Sequence, residues 1–263
     1  MGTGLGLGIG IPFRRMGAGI DAQYQAILDR ATALGYTLPS AGQQAKQNQL
    51  IIDLKTAGVW DKLDVFYVYA NDAGQNFSTL NWKNPNVFQD SLINSPTFTT
   101  NQGFAGNGTT SYISHNYNPA TQGVQYQLNS ASIYLHILTA GTGLGIVGAA
   151  SSYDNVILSL TDTTWCRINS SNSYATPAVN MVASNNTFLG VNRISSSQIT
   201  MYKNKTASTR NQTSTSIPSS ILESLKSFVF YGTHLHTMFA AGSSLASVND
   251  SFQDAYSTYL SSL

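Results

Sequence analysis

Few residues of this chain are placed to do chemistry. Glycoside hydrolysis needs two carboxylates about 5–9.5 Å apart, one of them held protonated by its surroundings. The sequence holds a single glutamate, Glu223, in a segment that reads as a surface turn or helix. Asp154 and Asp162 flank a strand-like run at its two ends instead of sharing one face. His234 and His236 stand two apart on a predicted strand and therefore share a face, as a chelating pair would, but no third ligand lies close in sequence. Structural hydrogen bonding is the expected role of that pair, and core or edge packing that of His115 and His136. Cys166 is the only cysteine, which rules out an intrachain disulfide and a CxxC metal site. It reads as a buried, inert thiol.

Two glycine- and serine-based signatures fail on context. Gly143-x-Gly145-x-x-Gly148 has the letters of a dinucleotide fingerprint, which must follow a strand and open a helix. Here it joins β-type runs and predicts a turn with a tight strand. Gly-x-Ser-x-Gly is missing, and no Ser/His/Asp set can be nominated from order alone. The expectation is a protein that is not an enzyme. What remains is binding chemistry, since sugars offer apolar faces and hydroxyl-rich edges to aromatic rings, amides and carboxylates. The ligand-loop candidates are Tyr153, Asp154 and Asn155 in one polar loop and Asn172 and Tyr174 in another. No cofactor is expected. Ca²⁺ held by Asp and carbonyl ligands is compatible with such a domain, although no dense Asp loop announces it.

The elements that would carry these loops follow from composition and periodicity. Of the 263 residues 10% are charged, against about 25% in ordinary domains, and the formal net charge is +1. A neutral polar surface without a Lys/Arg block predicts neither a nucleic-acid partner nor membrane insertion. Glycine occupies positions 2, 4, 6, 8 and 10, with Leu5, Leu7, Ile9 and Ile11 between. This period of two describes a strand with one bare face. Gly2, Gly4, Leu5, Gly6, Leu7, Gly8, Ile9, Gly10 and Ile11 are accordingly the candidate assembly anchor, docking in the same chain or in a neighbour.

Two amphipathic helices are predicted next, one capped by Asp21 and ended by Gly35, the other opened by Pro39-Ser40 and stopped by Gly58. From residue 63 the pattern turns to short β runs: 63–70, 109–116, 131–139, 155–161, 187–193, 198–203 and 227–234, with 210–216 as a polar loop. Strands without intervening helices predict a sandwich or jelly roll. An apolar stripe of Phe252, Ala255, Tyr256, Tyr259 and Leu260 predicts a closing helix. The implied division is an anchoring strand over 1–19, a helical collar over 20–62 and a sandwich over 63–263.

Several blocks carry a resemblance to a known family. Ala33-Leu34-Gly35-Tyr36-Thr37-Leu38-Pro39-Ser40, the stretches 47–58 and 60–68, and Leu80-Asn81-Trp82-Lys83-Asn84-Pro85 resemble the opening of virion proteins from tailed bacteriophages. The stretch from Ser95-Pro96-Thr97-Phe98 through Gly106-Asn107-Gly108-Thr109 to Ser111-Tyr112-Ile113 is similar to the segment with which such proteins enter a concanavalin A-like, laminin-G-like β-sandwich. Residues 199–204 resemble that family's strand and Asn turn, and 239–263 its closing strand and helix. The resemblance spans roughly residues 20–263. It implies a mostly β, concanavalin A-like jelly-roll sandwich with short N-terminal helices and a C-terminal helix. It further implies a structural or adhesive virion component on a head fibre, tail or capsid, assembled in the host cytoplasm. Its expected partners are other virion proteins, further copies in a fibre-like trimer, and a host surface glycan. The alternative from another class is a carbohydrate-active enzyme of glycosidase type.

Overall fold

In the computed structural model the described residues are 19–150, 156–159, 164–170, 182–227 and 229–263. Asp21 caps α1 (Ala22–Ala33) by accepting the Gln23 amide at 2.9 Å, and Ser40 caps α2 (Ala41–Thr56) by accepting that of Gln43 at 3.3 Å. A single 3-10 turn leads into β1 (Leu63–Val68), followed by α3 (Gln75–Ser78), β2 (Ser91–Ile93), β3 (Thr97–Thr99), β4 (Gly103–Ala105) and β5 (Tyr112–Ser114). After α4 (Pro119–Gln122) come β6 (Ala131–Thr139), β7 (Gly145–Ala149), β8 (Val156–Ser159), β9 (Thr164–Arg167), β10 (Thr187–Arg193), β11 (Gln198–Lys203) and β12 (Thr206–Asn211). The chain closes with β13 (Leu222–Ser224), β14 (Lys226–Ser227), β15 (Phe230–Tyr231), β16 (Leu235–Gly242) and α5 (Asn249–Ser261).

The strands form two antiparallel sheets, ordered β12-β11-β10-β6-β16-β4-β3 with β1 also on β16, and β2-β5-β13-β7-β8-β9. In the larger sheet successive side chains divide between two cores, as the strand period requires. Val65, Tyr67, Ile133, Leu135, Leu189, Val191, Phe239 and Ala241 fill the space between the sheets. Phe66, Val68, Tyr134, Phe188, Met238 and Ala240 point the other way, onto a layer made by α1, α2 and α5. Both faces of that sheet's central strands are therefore buried, and the molecule is a sandwich with a third, helical layer. Tyr134 reaches Asn249 of α5 through its hydroxyl at 2.9 Å, and its ring lies over Gly190, where a Cβ would meet ring carbon at 2.3 Å.

Several sequence expectations are corrected. The run 227–234 is broken into β14 and β15, which pair with each other outside the main sheets. Residues 210 and 211, expected in a loop, end β12. Strand β16, central in the larger sheet, gave no period-two signal because it is buried on both faces, with Met238 and Ala240 in one core and Phe239 and Ala241 in the other. The Asn turn after β11 is present, with Asn204 at φ 52° leading into β12.

Candidate functional site

The nine anchor positions, Gly2 through Ile11, and the loop residues Tyr153, Asp154, Asn155, Asn172 and Tyr174 all lie outside the described residues, as does Asp162. The other singled-out groups are placed clearly. Glu223 is neither in a turn nor in a helix: it sits on β13, 4% exposed, and pairs with Lys226 at 2.9 Å beneath the β14–β15 hairpin. Burial raises its carboxyl pKa, and the Lys226 ammonium opposes that shift. Lys226 lies 4.2 Å from the centre of the half-buried Tyr112 ring, so this cation is held between a carboxylate and an aromatic face. The glycines at 145 and 148 permit the hairpin's approach, since a Cβ there would meet the Phe230 carbonyl at 2.0 Å and the Ser227 hydroxyl at 2.6 Å. Both lie on β7, and Gly143, with φ 93°, precedes that strand. Cys166 is buried, which pushes its thiol up to about 12 and keeps it protonated.

His234 and His236 are both buried, with ring centres 6.4 Å apart. Among the described residues no group of three or more His, Cys, Asp or Glu side chains could hold a metal. His234 Nδ1 accepts the Gly141 amide at 3.0 Å, whereas both nitrogens of His236 lack a hydrogen-bond partner. Burial lowers the pKa of both rings, and their neighbouring histidines lower that of His236 further.

The structure does assemble one Ser/His/Asp set that chain order could not nominate. His115 places Nδ1 2.9 Å from Asp90 Oδ1 and Nε2 2.8 Å from Ser224 Oγ. A hydrolytic triad has these contacts, but it also needs a nucleophile that a substrate can reach. His115 and Ser224 are fully buried between the sheets, and the His115 ring stacks on Phe239 with centres 3.7 Å apart. Tyr69 donates to the second oxygen of Asp90 at 3.0 Å. This set is a satisfied polar link across the sandwich core.

An open polar site lies elsewhere, where the helical layer stops short of covering the larger sheet. Two adjoining clefts of about 890 Å³ and about 440 Å³ share Asn186, Asp254 and Ser257. The sheet contributes His136 of β6 and Phe188 of β10, the turn after β11 contributes Asn204 and Lys205, and α5 supplies Gln253, Asp254 and Ser257. Leu138, Asn101 and Ser261 extend the lining. All three cleft asparagines adopt the left-handed backbone that Asn tolerates at turns, with φ 58° at Asn101, 51° at Asn186 and 52° at Asn204.

The side-chain network fixes what these amides offer. Tyr256 donates to the Thr237 carbonyl at 2.8 Å, and Thr237 Oγ1 contacts His136 Nδ1 at 2.9 Å. His136 Nε2 lies 3.1 Å from Asn186 Oδ1, which can only accept, so the ring proton sits on Nε2. Burial pulls the His136 pKa down to about 4, against the opposing bond to Asn186, so the ring is neutral at pH 7. Asn204 Oδ1 accepts the Phe188 amide at 2.9 Å. With both oxygens engaged inside the fold, the two NH₂ groups are left as donors for the cleft. Asn101 Oδ1, by contrast, is buried without a partner and closed to solvent. Lys205 and Asp254 pair at 2.6 Å and are substantially exposed, adding a charged donor and acceptor to the lining.

No protein-family model and no curated protein matches the chain. Its fold is similar to that of a Trypanosoma rangeli sialidase mutant displaying trans-sialidase activity (TM-score 0.51, 8% identity, 81% of this chain and 39% of that one). It is also similar to HCR/D-Sa-GBL1/C (TM-score 0.52, 12% identity, 75% and 52%) and to the binding domain of botulinum neurotoxin DC in complex with SialylT (TM-score 0.50, 10% identity, 75% and 52%). The chain thus spans between 39% and 52% of the length of these structures. At such identities the likeness is one of fold: the molecule is a mostly β, antiparallel β-sandwich with N-terminal helices and a closing C-terminal helix.

Proposed function

We propose that the protein is a non-catalytic, glycan-binding component of a tailed-bacteriophage particle, with the cleft between α5 and the larger sheet as its sugar site. The observation that carries the binding part is the pair of asparagines at 186 and 204, whose oxygens are engaged within the fold while their NH₂ groups remain as donors, beside the exposed Lys205–Asp254 pair. Such fixed donors and acceptors match a neutral, polyhydroxylated ligand and lose little entropy on binding. The binding domain solved in complex with SialylT shares the fold. The non-catalytic reading rests on the buried Glu223–Lys226 pair and on the enclosure of Ser224.

The particle reading rests on the resemblance over residues 20–263 and on the period-two segment ahead of it. In this reading residues 1–19 dock the chain onto other virion proteins, copies associate as in a fibre, and the sandwich faces the host glycan. Two experiments test it. On a glycan array the full chain is expected to retain hydroxyl-rich glycans without releasing reducing ends from them; turnover of a retained glycan would refute the non-catalytic assignment. With virions lacking this component, the full chain is expected to dock and the chain lacking residues 1–19 to stay folded but unbound. Equal docking of both would refute the anchor.

A further inference from the structure

The polar cleft is longer than one sugar. Its lining on α5 advances from Gln253 through Ser257 to Leu260 and Ser261, positions that share one face of the helix. At a rise of about 1.5 Å per residue this stripe is about 12 Å long. The two compartments lie in sequence beside it. The smaller takes in Gln253 and the turn after β11, the larger Leu260 and Ser261, and they join at Asn186, Asp254 and Ser257. A pyranose built on bonds of about 1.5 Å is roughly 5 Å long, so about two to three units fit end to end along the stripe.

The ends and the charge of the groove narrow the ligand further. Thr206 at one end and Ser261 at the other are both exposed, so a chain can enter at one and leave at the other. Leu138 of β6 and Leu260, each half-buried, give the larger compartment an apolar surface for the C–H face of a sugar ring, while the Asn186 amide supplies its donor at the join. A terminal acidic sugar calls for an unpaired cation, whereas Lys205 is already held by Asp254 at 2.6 Å. Resting on the reading of this cleft as the sugar site, we propose that it binds an interior stretch of a neutral polysaccharide, on the order of three sugar units laid along α5, and not a chain end. Copies can then occupy one polymer side by side, and a surface carrying several gains avidity without new contacts.

The test is calorimetric titration of the full chain with the neutral polysaccharide best retained on a polysaccharide array, and with its disaccharide and hexasaccharide fragments. The hexasaccharide is expected to bind at least about tenfold more tightly than the disaccharide, and the number of protein copies bound per polymer chain to rise with polymer length. Ser261→Trp, at an exposed position that obstructs one exit of the groove, should reduce the hexasaccharide's advantage to about threefold or less. Equal affinity for the two fragments, or a fixed number of copies per chain whatever its length, would overturn the proposal. So would an array on which only terminal acidic sugars are retained. Ser257→Trp separates this assignment from the site itself. If the variant abolishes binding of both fragments while the wild type holds them equally, the cleft remains the sugar site and only the interior-chain assignment falls. If the variant binds both as the wild type does, the site reading fails and this assignment with it.

Discussion

Phe66→Ala is expected to destabilise the protein by about 3–5 kcal/mol, the range for emptying a buried phenylalanine site. Phe66 is fully buried on β1 and points into the helical layer. Its ring meets Trp60, Trp82, Phe252 and Tyr256, with centres 6.2, 6.0, 6.2 and 6.5 Å away and steep interplanar angles. Edge-to-face contacts of this kind add about 0.5–1.5 kcal/mol per pair beyond area burial. The four partners come from the turn before β1, the segment after α3, and α5, so one truncation loosens the joint between sheet and helices. At about 2–4 °C per kcal/mol for a chain of this size, Tm falls by roughly 10 °C. Denaturant unfolding of the two proteins checks this. A loss under about 1 kcal/mol would mean that the helical layer is not cooperatively packed on the sandwich.

Mild acid is expected to have an effect nearly as large. The His136 pKa is about 4 in the fold, against an ordinary value of about 6.5, because burial disfavours the imidazolium. A histidine whose folded pKa is depressed contributes stability above its unfolded pKa, and that contribution is lost as pH falls toward the folded pKa. From about pH 6.5 to 4 the loss from His136 alone amounts to about 3 kcal/mol, with about 2 kcal/mol gone by pH 5. His234 and His236, both lowered chiefly by burial, act in the same sense. Asp90 and Glu223, whose carboxyls are raised by burial, act in the opposite one. Unfolding free energies at pH 7 and pH 5 for the wild type and His136→Gln isolate the effect: the difference between the two pH values should shrink by about 2 kcal/mol in the variant. An unchanged difference would show that His136 titrates normally in the fold.

Periodicity and capping made much of this fold legible. Asp21 and Ser40 announced the two helices, and the runs at 131–139, 187–193 and 198–203 became β6, β10 and β11 with those bounds. Three-residue strands such as β2, β3 and β4 are too short to show a period, and β16, buried on both faces, shows none. The covering of the sheet's second face was also hidden. Helix α2 turns glutamines inward, where Gln47 accepts from Tyr24 at 2.6 Å and Gln43 donates to Tyr259 at 2.7 Å, and no hydrophobicity pattern reveals a buried face made this way.

The candidate site was less legible than the fold. Its lining spans Asn101 to Ser261, brought together by long-range pairing, and its asparagines look in sequence like any turn residue. The one local signal was Asn204 ending an apolar strand, a turn marker that says nothing about which amide atom faces a cleft. Many aromatic residues serve packing: Trp60 and Trp82 are buried, as are Tyr67, Tyr69, Tyr134 and Tyr256, whereas Tyr153 and Tyr174, the two named for sugar contact, lie outside the described residues. The Asp90–His115–Ser224 link shows the converse, a constellation with catalytic letters and distances whose enclosure leaves it a structural role.

Ser257 is exposed on α5 and lines both halves of the polar cleft, so Ser257→Trp fills the site without entering the core. The most direct measurement is calorimetric titration of the wild type and Ser257→Trp with the glycan best retained on the array, at matched unfolding temperature. The cleft account predicts at least a tenfold loss of affinity in the variant, or about 1.4 kcal/mol. Equal affinity in the two proteins would place the glycan elsewhere and contradict the assignment of this cleft as the binding site.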